Sequence, residues 1–309
     1  MTSSQQFTRQ TVKVPSAEAD VNLEVWLYLP AQHGDGPFPV VVAGHGLSLV
    51  KEAGFAAFGE SWASAGWASL VLDCRGFGGS GGQRNFCCIA RQVEDYRSVI
   101  AWAKTGEMQS LFQKDRIVVM GSAMSGLCVA ELALNALEEG IAGAMAHCPI
   151  LDGYGTAMAL PPNFKLLFMV FLDYIGGKLG FSPLYVNVVA KPGEPAICNT
   201  PSCLPGFVSM YEQSDTPFSE RANIVPGRLM VEIMSSRLDL SGIKCPMLVV
   251  MPENDDLIAP SVSREAIAKA RGKIQSVVVP GGHFDVMKGG VGFEGNIKAQ
   301  LEFLRSLVL

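Results

Sequence analysis

The chain has 309 residues, of which 49% are hydrophobic and 17% are charged, and its formal net charge is −5. A chain of this length and apolar content can bury a large core, which excludes a disordered protein. The acidic balance and the absence of any Lys/Arg run argue against nucleic acid as a partner. The most apolar central stretch, residues 166–172, is too short to predict a membrane span. No secretory signal is recognisable, so we expect a cytoplasmic protein.

The eight cysteines bear on both the compartment and metal binding. Their spacings match no zinc-binding pattern, and Cys198 and Cys203 have no nearby His or Cys partner in the sequence. Disulfides would require an oxidising compartment. We therefore interpret the cysteines as reduced, mostly buried thiols, and we expect neither a metal nor any other cofactor.

Short apolar runs alternate with helical segments along most of the chain. The predicted strands cover residues 21–30, 38–43, 67–73, 116–120, 141–147, 246–251 and 275–279. The predicted helices cover residues 53–65, 91–104, a segment ending near 137, and 292–309. Apolar strands that are joined by helices indicate burial on both faces. The pattern predicts an α/β fold with a doubly wound, mostly parallel sheet.

One region breaks this alternation. Residues 153–237 are rich in Gly, Pro and aromatic residues, contain no clear strand, and lie between two predicted strands. We therefore predict a helical lid insertion over the carboxyl edge of the sheet, where ligands bind in such folds. The hydrolase-like core then consists of residues 1–152 and 238–309. We expect apolar side chains of the insertion to contact Ala123 or His283.

The strand at 116–120 leads into a tight turn, Gly121-Ser-Ala-Met-Ser-Gly126. A strand, the motif G-x-S-x-G and a helix form a nucleophile elbow, in which the central serine projects over the sheet. Here Ala123 occupies the serine position, while the backbone N–H of Met124 remains available to an oxyanion. Apart from the missing hydroxyl, the elbow is intact.

Three explanations of Ala123 are compatible with the sequence. We favour an introduced Ser→Ala change that inactivates the enzyme, because the rest of the motif is retained. The second is a natural protein that has lost its serine. The third is a nucleophile at Ser122 or Ser125, although Ser122 would face away from the tip of the elbow and Ser125 would lie one helical step too far.

The remaining members of a catalytic triad follow in the order that this fold requires, the acid before the histidine. His283 comes after the last strand, in a Gly-Gly-His loop that can turn back toward the elbow. Asp255 and Asp256 both lie in the loop after the strand at 246–251, and either could orient His283 and stabilise its imidazolium. We favour Asp256, because Pro260 four residues later begins the next helix.

A second oxyanion donor is expected in the loop after the strand at 38–43. That loop reads Gly-His-Gly-Leu, and we assign the donor to the backbone N–H of Leu47, paired with that of Met124. Two other polar residues follow strands. We expect Arg75 to anchor its glycine-rich loop and His147 to be packed in the interior.

Four segments together resemble a known family: GHGLSLVKEAGFAAFGESWASAGWASLVLDCRGFGGSGG, RQVEDYRSVIAW, GSAMSG and GGHFDVMKGG. In order and spacing they are similar to the dienelactone-hydrolase-like branch of the α/β-hydrolases. Within that branch they resemble most the fungal polyketide transferases, related secondary-metabolite hydrolases and their bacterial homologues. The family elbow reads G-S-S-x-S-G, so the resemblance implies serine at position 123.

The resemblance implies a serine-type acyl hydrolase or acyltransferase for a bulky, apolar ester or thioester, such as a polyketide-derived metabolite. Relatives with cyclase or carbon–carbon lyase chemistry imply an alternative in which His283 acts as a base without acyl transfer. A natural, catalytically inactive binding protein is the second alternative. The expected partner is the small-molecule substrate, and the sequence leaves a homo-oligomer open.

Overall fold

The computed structural model describes residues 6–32, 34–212 and 214–308. The strands are β1 (Phe7–Pro15), β2 (Asn22–Pro30), β3 (Phe38–Gly44), β4 (Ala68–Leu72), β5 (Phe112–Ser122), β6 (Gly143–His147), β7 (Tyr185–Val189), β8 (Ala196–Cys198), β9 (Ile224–Pro226), β10 (Met247–Pro252) and β11 (Ile274–Val279). The α-helices are α1 (Ala56–Ser64), α2 (Ile89–Thr105), α3 (Ser125–Leu134), α4 (Ala136–Glu139), α5 (Gly153–Ala159), α6 (Phe164–Lys178), α7 (Cys203–Met210), α8 (Arg228–Ser235), α9 (Pro260–Lys269) and α10 (Phe293–Ser306). Single 3₁₀ turns lie at Gln109–Leu111, Phe218–Glu220 and Leu240–Gly242.

Eight strands form the main sheet, in the order β1-β2-β4-β3-β5-β6-β10-β11. The pairs β1–β2 and β2–β4 are antiparallel, and the other neighbours are parallel. This confirms the predicted fold with a mostly parallel sheet and flanking helices. Strand β1 was missed because most of its side chains are exposed and its sequence lacks an apolar run.

The central strands are buried along their whole length, which explains their short apolar sequences. Every residue of β4 and of β6 is buried, as is all but one residue of β3. A parallel sheet that helices cover on both faces requires such strands, because neither face meets water. The carboxyl ends of β3, β5, β6 and β10 meet at one edge of the sheet.

The insertion, residues 153–237, contains four helices, α5 to α8, and a second sheet in the order β8-β7-β9. The expectation that it has no clear strand is therefore wrong. Strands β8 and β9 have only three residues each, and three residues are too few to produce a recognisable alternation. Residues 189 and 198 pair across β7 and β8.

Helix α6 is anchored to the rest of the insertion by the buried carboxylate of Asp173, and its outer face is apolar and exposed. Asp173 accepts hydrogen bonds from Leu184 N and from the backbone and side chain of Arg228, at 2.6 to 3.0 Å. On the outer side, Phe164 is 80% exposed and Phe168 is 61% exposed. Among the residues that the structure describes, no helix is both long and apolar enough to cross a membrane.

Candidate active site

Strand β5 ends in a sharp turn at Ala123. This residue has φ +48°, a left-handed conformation that is strained for a residue other than glycine. The chain can pass here only because its neighbours are small. A Cβ on Gly121 would lie 2.7 Å from Ser125 O, and one on Gly126 would lie 2.4 Å from Pro149 Cβ. The turn therefore has the backbone of a nucleophile elbow with a methyl group at its tip.

The histidine and the acid meet as the sequence predicts, but the acid is not the one that we favoured. His283 Nδ1 donates to Asp255 Oδ2 at 2.8 Å, and both residues are buried. The other oxygen of Asp255 accepts from Leu257 N at 2.9 Å and Ile258 N at 2.7 Å. These two N–H groups hold the carboxylate in place beside the imidazole.

Asp256 is exposed, and the acid that bonds His283 is its neighbour Asp255. The Asp256 carboxylate accepts hydrogen bonds from the backbone N–H and the hydroxyl of Ser202 in the insertion. The preference for Asp256 over Asp255 is corrected accordingly. The turn after β10 points consecutive side chains in opposite directions, and the distance to Pro260 in the sequence carries no information on which of them turns inward.

A second group beside the His283 imidazole is Cys148, which directly follows β6 and lines the same cavity. Burial disfavours the charged ring, but the hydrogen bond that it donates to the Asp255 carboxylate, together with the charge of Asp255 and the nearby Cys148 side chain, outweighs that effect. Together they raise the pKa of His283 well above its ordinary value. From the sequence, Cys148 was expected only to be one of the reduced, mostly buried thiols. Its position directly after a buried strand at the carboxyl edge was the signal that could have identified it.

The two expected oxyanion donors come from two different loops that meet at the cavity. Leu47 follows β3 and Met124 precedes α3, and both line the same cavity as Ala123 and His283. Within the described part of the chain, neither backbone N–H donates to a protein acceptor. A Cβ on Gly46 would lie 3.2 Å from Ser122 O and 3.5 Å from the Ala123 methyl, so the loop that carries Leu47 packs directly against the elbow.

The cavity above Ala123 is apolar. Its floor consists of the elbow, the loops after β3, β6 and β10, and the His283 loop. Much of the rest comes from the insertion, whose larger lining side chains are Leu160, Ile197, Phe207, Met210, Met230 and Ile233. The Phe207 ring lies 5.8 Å from that of Phe284, which itself lies 4.9 Å from the His283 ring, centroid to centroid.

The two serines of the elbow differ in their surroundings. Ser125 is fully buried and donates its hydroxyl to His45 O, so its oxygen is directed away from the cavity. Ser122 is buried and lines the cavity, and among the described residues the side-chain hydrogen bond of His283 goes to Asp255.

The other singled-out polar residues lie where the sequence predicts. Arg75 anchors its loop through Asp95 at 2.5 Å and Glu94 at 2.6 Å. His147 is fully buried beside Asn296, at 3.1 Å, and its pKa falls to about 3 because of burial and the nearby His283. A neutral imidazole in this position is part of the core.

Cys198 and Cys203 are partners of each other, contrary to the expectation that neither has a nearby thiol. The hydrogen bond from Cys198 lowers the pKa of Cys203 to about 7, and Cys203 Sγ also lies 3.0 Å from the hydroxyl of Thr200. All eight cysteines are free thiols, and seven of them are buried. In the described residues, no group of three or more His, Cys, Asp or Glu side chains could hold a metal ion.

The chain was compared with known protein families and structures. The family model described as Hydrolase_4 (serine aminopeptidase, S33) matches residues 36–287, which include the elbow, Asp255 and His283. The quorum-quenching protein AidA of Acinetobacter baumannii (strain MDR-ZJ06) is 29% identical over 294 residues, covering 94% of this chain and 92% of its own.

Two further similarities concern a fungal protein. The polyketide transferase grgF of Penicillium sp is 24% identical over 295 residues, covering 92% of each chain. The crystal structure of the α/β-hydrolase GrgF from Penicillium sp. sh18 superposes with a TM-score of 0.74 at 21% identity, covering 98% of this chain and 100% of that one. At this identity the superposition shows a shared fold.

Proposed function

Because the chain belongs to the serine aminopeptidase S33 family of the α/β-hydrolase superfamily, we propose that its cavity transfers the acyl group of a bulky, apolar ester or thioester to water or an alcohol. The observation that carries this proposal is the buried His283–Asp255 pair, whose Nδ1 and Oδ2 atoms lie 2.8 Å apart, with His283 lining the cavity. Leu47 and Met124 line the same cavity, and their backbone N–H groups have no protein acceptor among the described residues. A histidine base held by a carboxylate, beside preorganised donors, is what acyl transfer requires.

Each residue has a distinct part in the reaction. In a serine form of the chain, the hydroxyl at position 123 attacks the carbonyl carbon and His283 takes its proton. Asp255 holds the imidazole in the tautomer that has Nε2 free and stabilises the imidazolium that forms. The N–H groups of Leu47 and Met124 stabilise the oxyanion, each contributing on the order of 10²-fold in rate. Ala123 itself has neither a lone pair nor a transferable proton.

The substrate class follows from the lining of the cavity. Aliphatic, Met and Phe side chains surround the elbow, and the described lining residues include His283 but no Asp, Glu, Lys or Arg. Such a cavity favours an uncharged, apolar acyl group. The relative described as a polyketide transferase agrees with an acyl chain of polyketide type.

The insertion supplies the specificity in this proposal. Its side chains form the part of the cavity opposite the sheet, where the acyl chain of a bound ester would extend away from the carbonyl. We therefore assign residues 153–237 the role of a lid that selects the acyl group, attached to a core made of residues 1–152 and 238–309.

The test restores the missing hydroxyl. Ala123→Ser is expected to hydrolyse p-nitrophenyl hexanoate at least on the order of 10³ faster than the matched control Ala123→Ser/His283→Ala. It should also be labelled at residue 123 by an organophosphonate, as peptide mass spectrometry would detect. If Ala123→Ser folds but shows neither turnover nor an adduct, and the unaltered chain is inert as well, the proposal is contradicted and a binding protein is favoured.

A further inference from the structure

Cys148 occupies the strand end next to the elbow. Ser122 pairs with His147 across the parallel strands β5 and β6, and Ala123 and Cys148 are the residues that directly follow this pair. Both line the same cavity. The thiol therefore belongs to the cavity of the elbow and comes from the next strand of the sheet.

The backbone at Cys148 has the same conformation as the elbow. Its φ is +39°, close to the +48° of Ala123, and neither residue is glycine. Hydrogen bonds hold both turns, from Cys148 N to Val250 O at 2.8 Å and from Ile150 N to Ala123 O at 2.9 Å. Strained, left-handed residues that the surrounding structure fixes in place are concentrated at active sites.

The imidazole and this thiol share the cavity. His283 Nδ1 is held by Asp255, which leaves Nε2 available to a group that lines the cavity with His283, and Cys148 is such a group. A nucleophile beside a base that a third group orients is the arrangement that covalent catalysis requires. The other thiol near the ring, Cys203, is engaged by Thr200 and Cys198.

We propose that Cys148 is the nucleophile of this chain in its present form, and that Cys148, His283 and Asp255 form the triad. Because Ala123 has no hydroxyl, His283 is available to act as the base for the thiol. This inference rests on the proposed acyl transfer. It differs in placing the attacking atom after β6 rather than after β5. The methyl group of Ala123 then has a role of its own, because a serine hydroxyl there would compete for His283.

The reaction balances without any redox partner. The thiol proton passes to His283 Nε2 as sulfur forms a bond to the carbonyl carbon, and the resulting oxyanion accepts from the backbone donors. The bond to the leaving alcohol or thiol breaks, and that group takes the proton from His283. Water or an alcohol then gives a proton to His283 and attacks the thioester, and the released sulfur regains a proton.

The experiment uses the chain as it stands, with Ala123 in place. After incubation with p-nitrophenyl hexanoate, peptide mass spectrometry should locate a hexanoyl thioester on Cys148. Turnover should fall at least about 10²-fold in Cys148→Ala and in His283→Ala. The matched control Cys245→Ala removes a buried thiol that does not line the cavity and should leave turnover unchanged. Circular dichroism verifies the fold of each variant, and iodoacetamide should alkylate Cys148 faster in the unaltered chain than in His283→Ala.

The outcomes separate this inference from the function on which it rests. An unreactive Cys148, an adduct on another residue, or turnover that survives Cys148→Ala overturns the inference, while an active Ala123→Ser variant would still support acyl transfer in this cavity. If the chain as it stands and Ala123→Ser are both inert, both proposals are overturned. If Cys148→Ala does not fold, the same comparison is made with Cys148→Ser, which keeps the size of the side chain and is expected to lose most of the turnover.

Discussion

The loops at the carboxyl edge of the main sheet and the insertion face each other across the cavity, and they are held in different ways. In the loops, hydrogen bonds fix individual polar groups, as with the two N–H groups that hold Asp255. The insertion contacts the cavity through apolar packing and leaves much of helix α6 exposed. Directional bonds position the chemistry to a fraction of an ångström, whereas apolar contacts define a volume and tolerate changes of shape.

Among the substitutions that distinguish the loops from the insertion, we expect the largest effect on kcat at Asp255. In the Ala123→Ser background, Asp255→Asn should lower kcat on the order of 10⁴-fold, because the amide no longer enforces the tautomer of His283. The control is Asp256→Asn, because the Asp256 carboxylate is exposed and accepts hydrogen bonds from Ser202. It should change kcat by less than about threefold, as for a surface substitution. Equal losses in the two variants would contradict the assignment of Asp255.

The pH dependence gives this prediction a second readout. A neutral His283 is the active base, so activity rises as the pH increases through its pKa. The Asp255 carboxylate raises that pKa, and burial opposes it. Removing the charge should therefore move the acid limb of kcat/KM to lower pH even as the rate falls, which a general loss of structure would not do.

The pair Asp255 and Asp256 also shows how far the sequence leads at this edge. Motif order correctly identified the superfamily and brought His283 and an acid into one loop cluster. It could not choose between consecutive aspartates, because the choice depends on which way the turn after β10 rotates. Cys148 was missed for a related reason: its contact with His283 joins residues 135 positions apart in the chain, and no local motif records that contact.

A smaller effect is expected on the opposite side of the cavity, at Phe207 in helix α7. Phe207→Leu should shift the preference between long and short p-nitrophenyl esters by about 10-fold through kcat/KM, because the smaller side chain enlarges the apolar cavity by a few methylenes. The adjacent Val208, which is 47% exposed, provides the control Val208→Ala. Unchanged chain-length preference in Phe207→Leu would mean that the insertion does not select the acyl group.

The insertion was the least predictable part of the chain. Its strands are too short to show a period of two, and helix α6 carries aromatic residues on the side that faces solvent and aliphatic residues on the side that packs. Sequence patterns identify a core face only when the opposite face is polar. Where both faces are apolar, the orientation of the helix is decided by contacts such as that of Asp173 with Arg228.

The smallest effect is expected on that outer face. Phe168 is 61% exposed, whereas Val170 on the same helix is 5% exposed. Phe168→Ser should change the free energy of unfolding by less than about 0.5 kcal/mol, and Val170→Ser should lower it by about 2 kcal/mol. Urea denaturation at two protein concentrations measures both, because only a face covered by a second copy would make the effect of Phe168→Ser depend on concentration. If the loss of unfolding free energy in Phe168→Ser depends on protein concentration, this face of α6 is not exposed in solution. The helix would then be covered by a second copy of the chain and would belong to the buried part of the molecule.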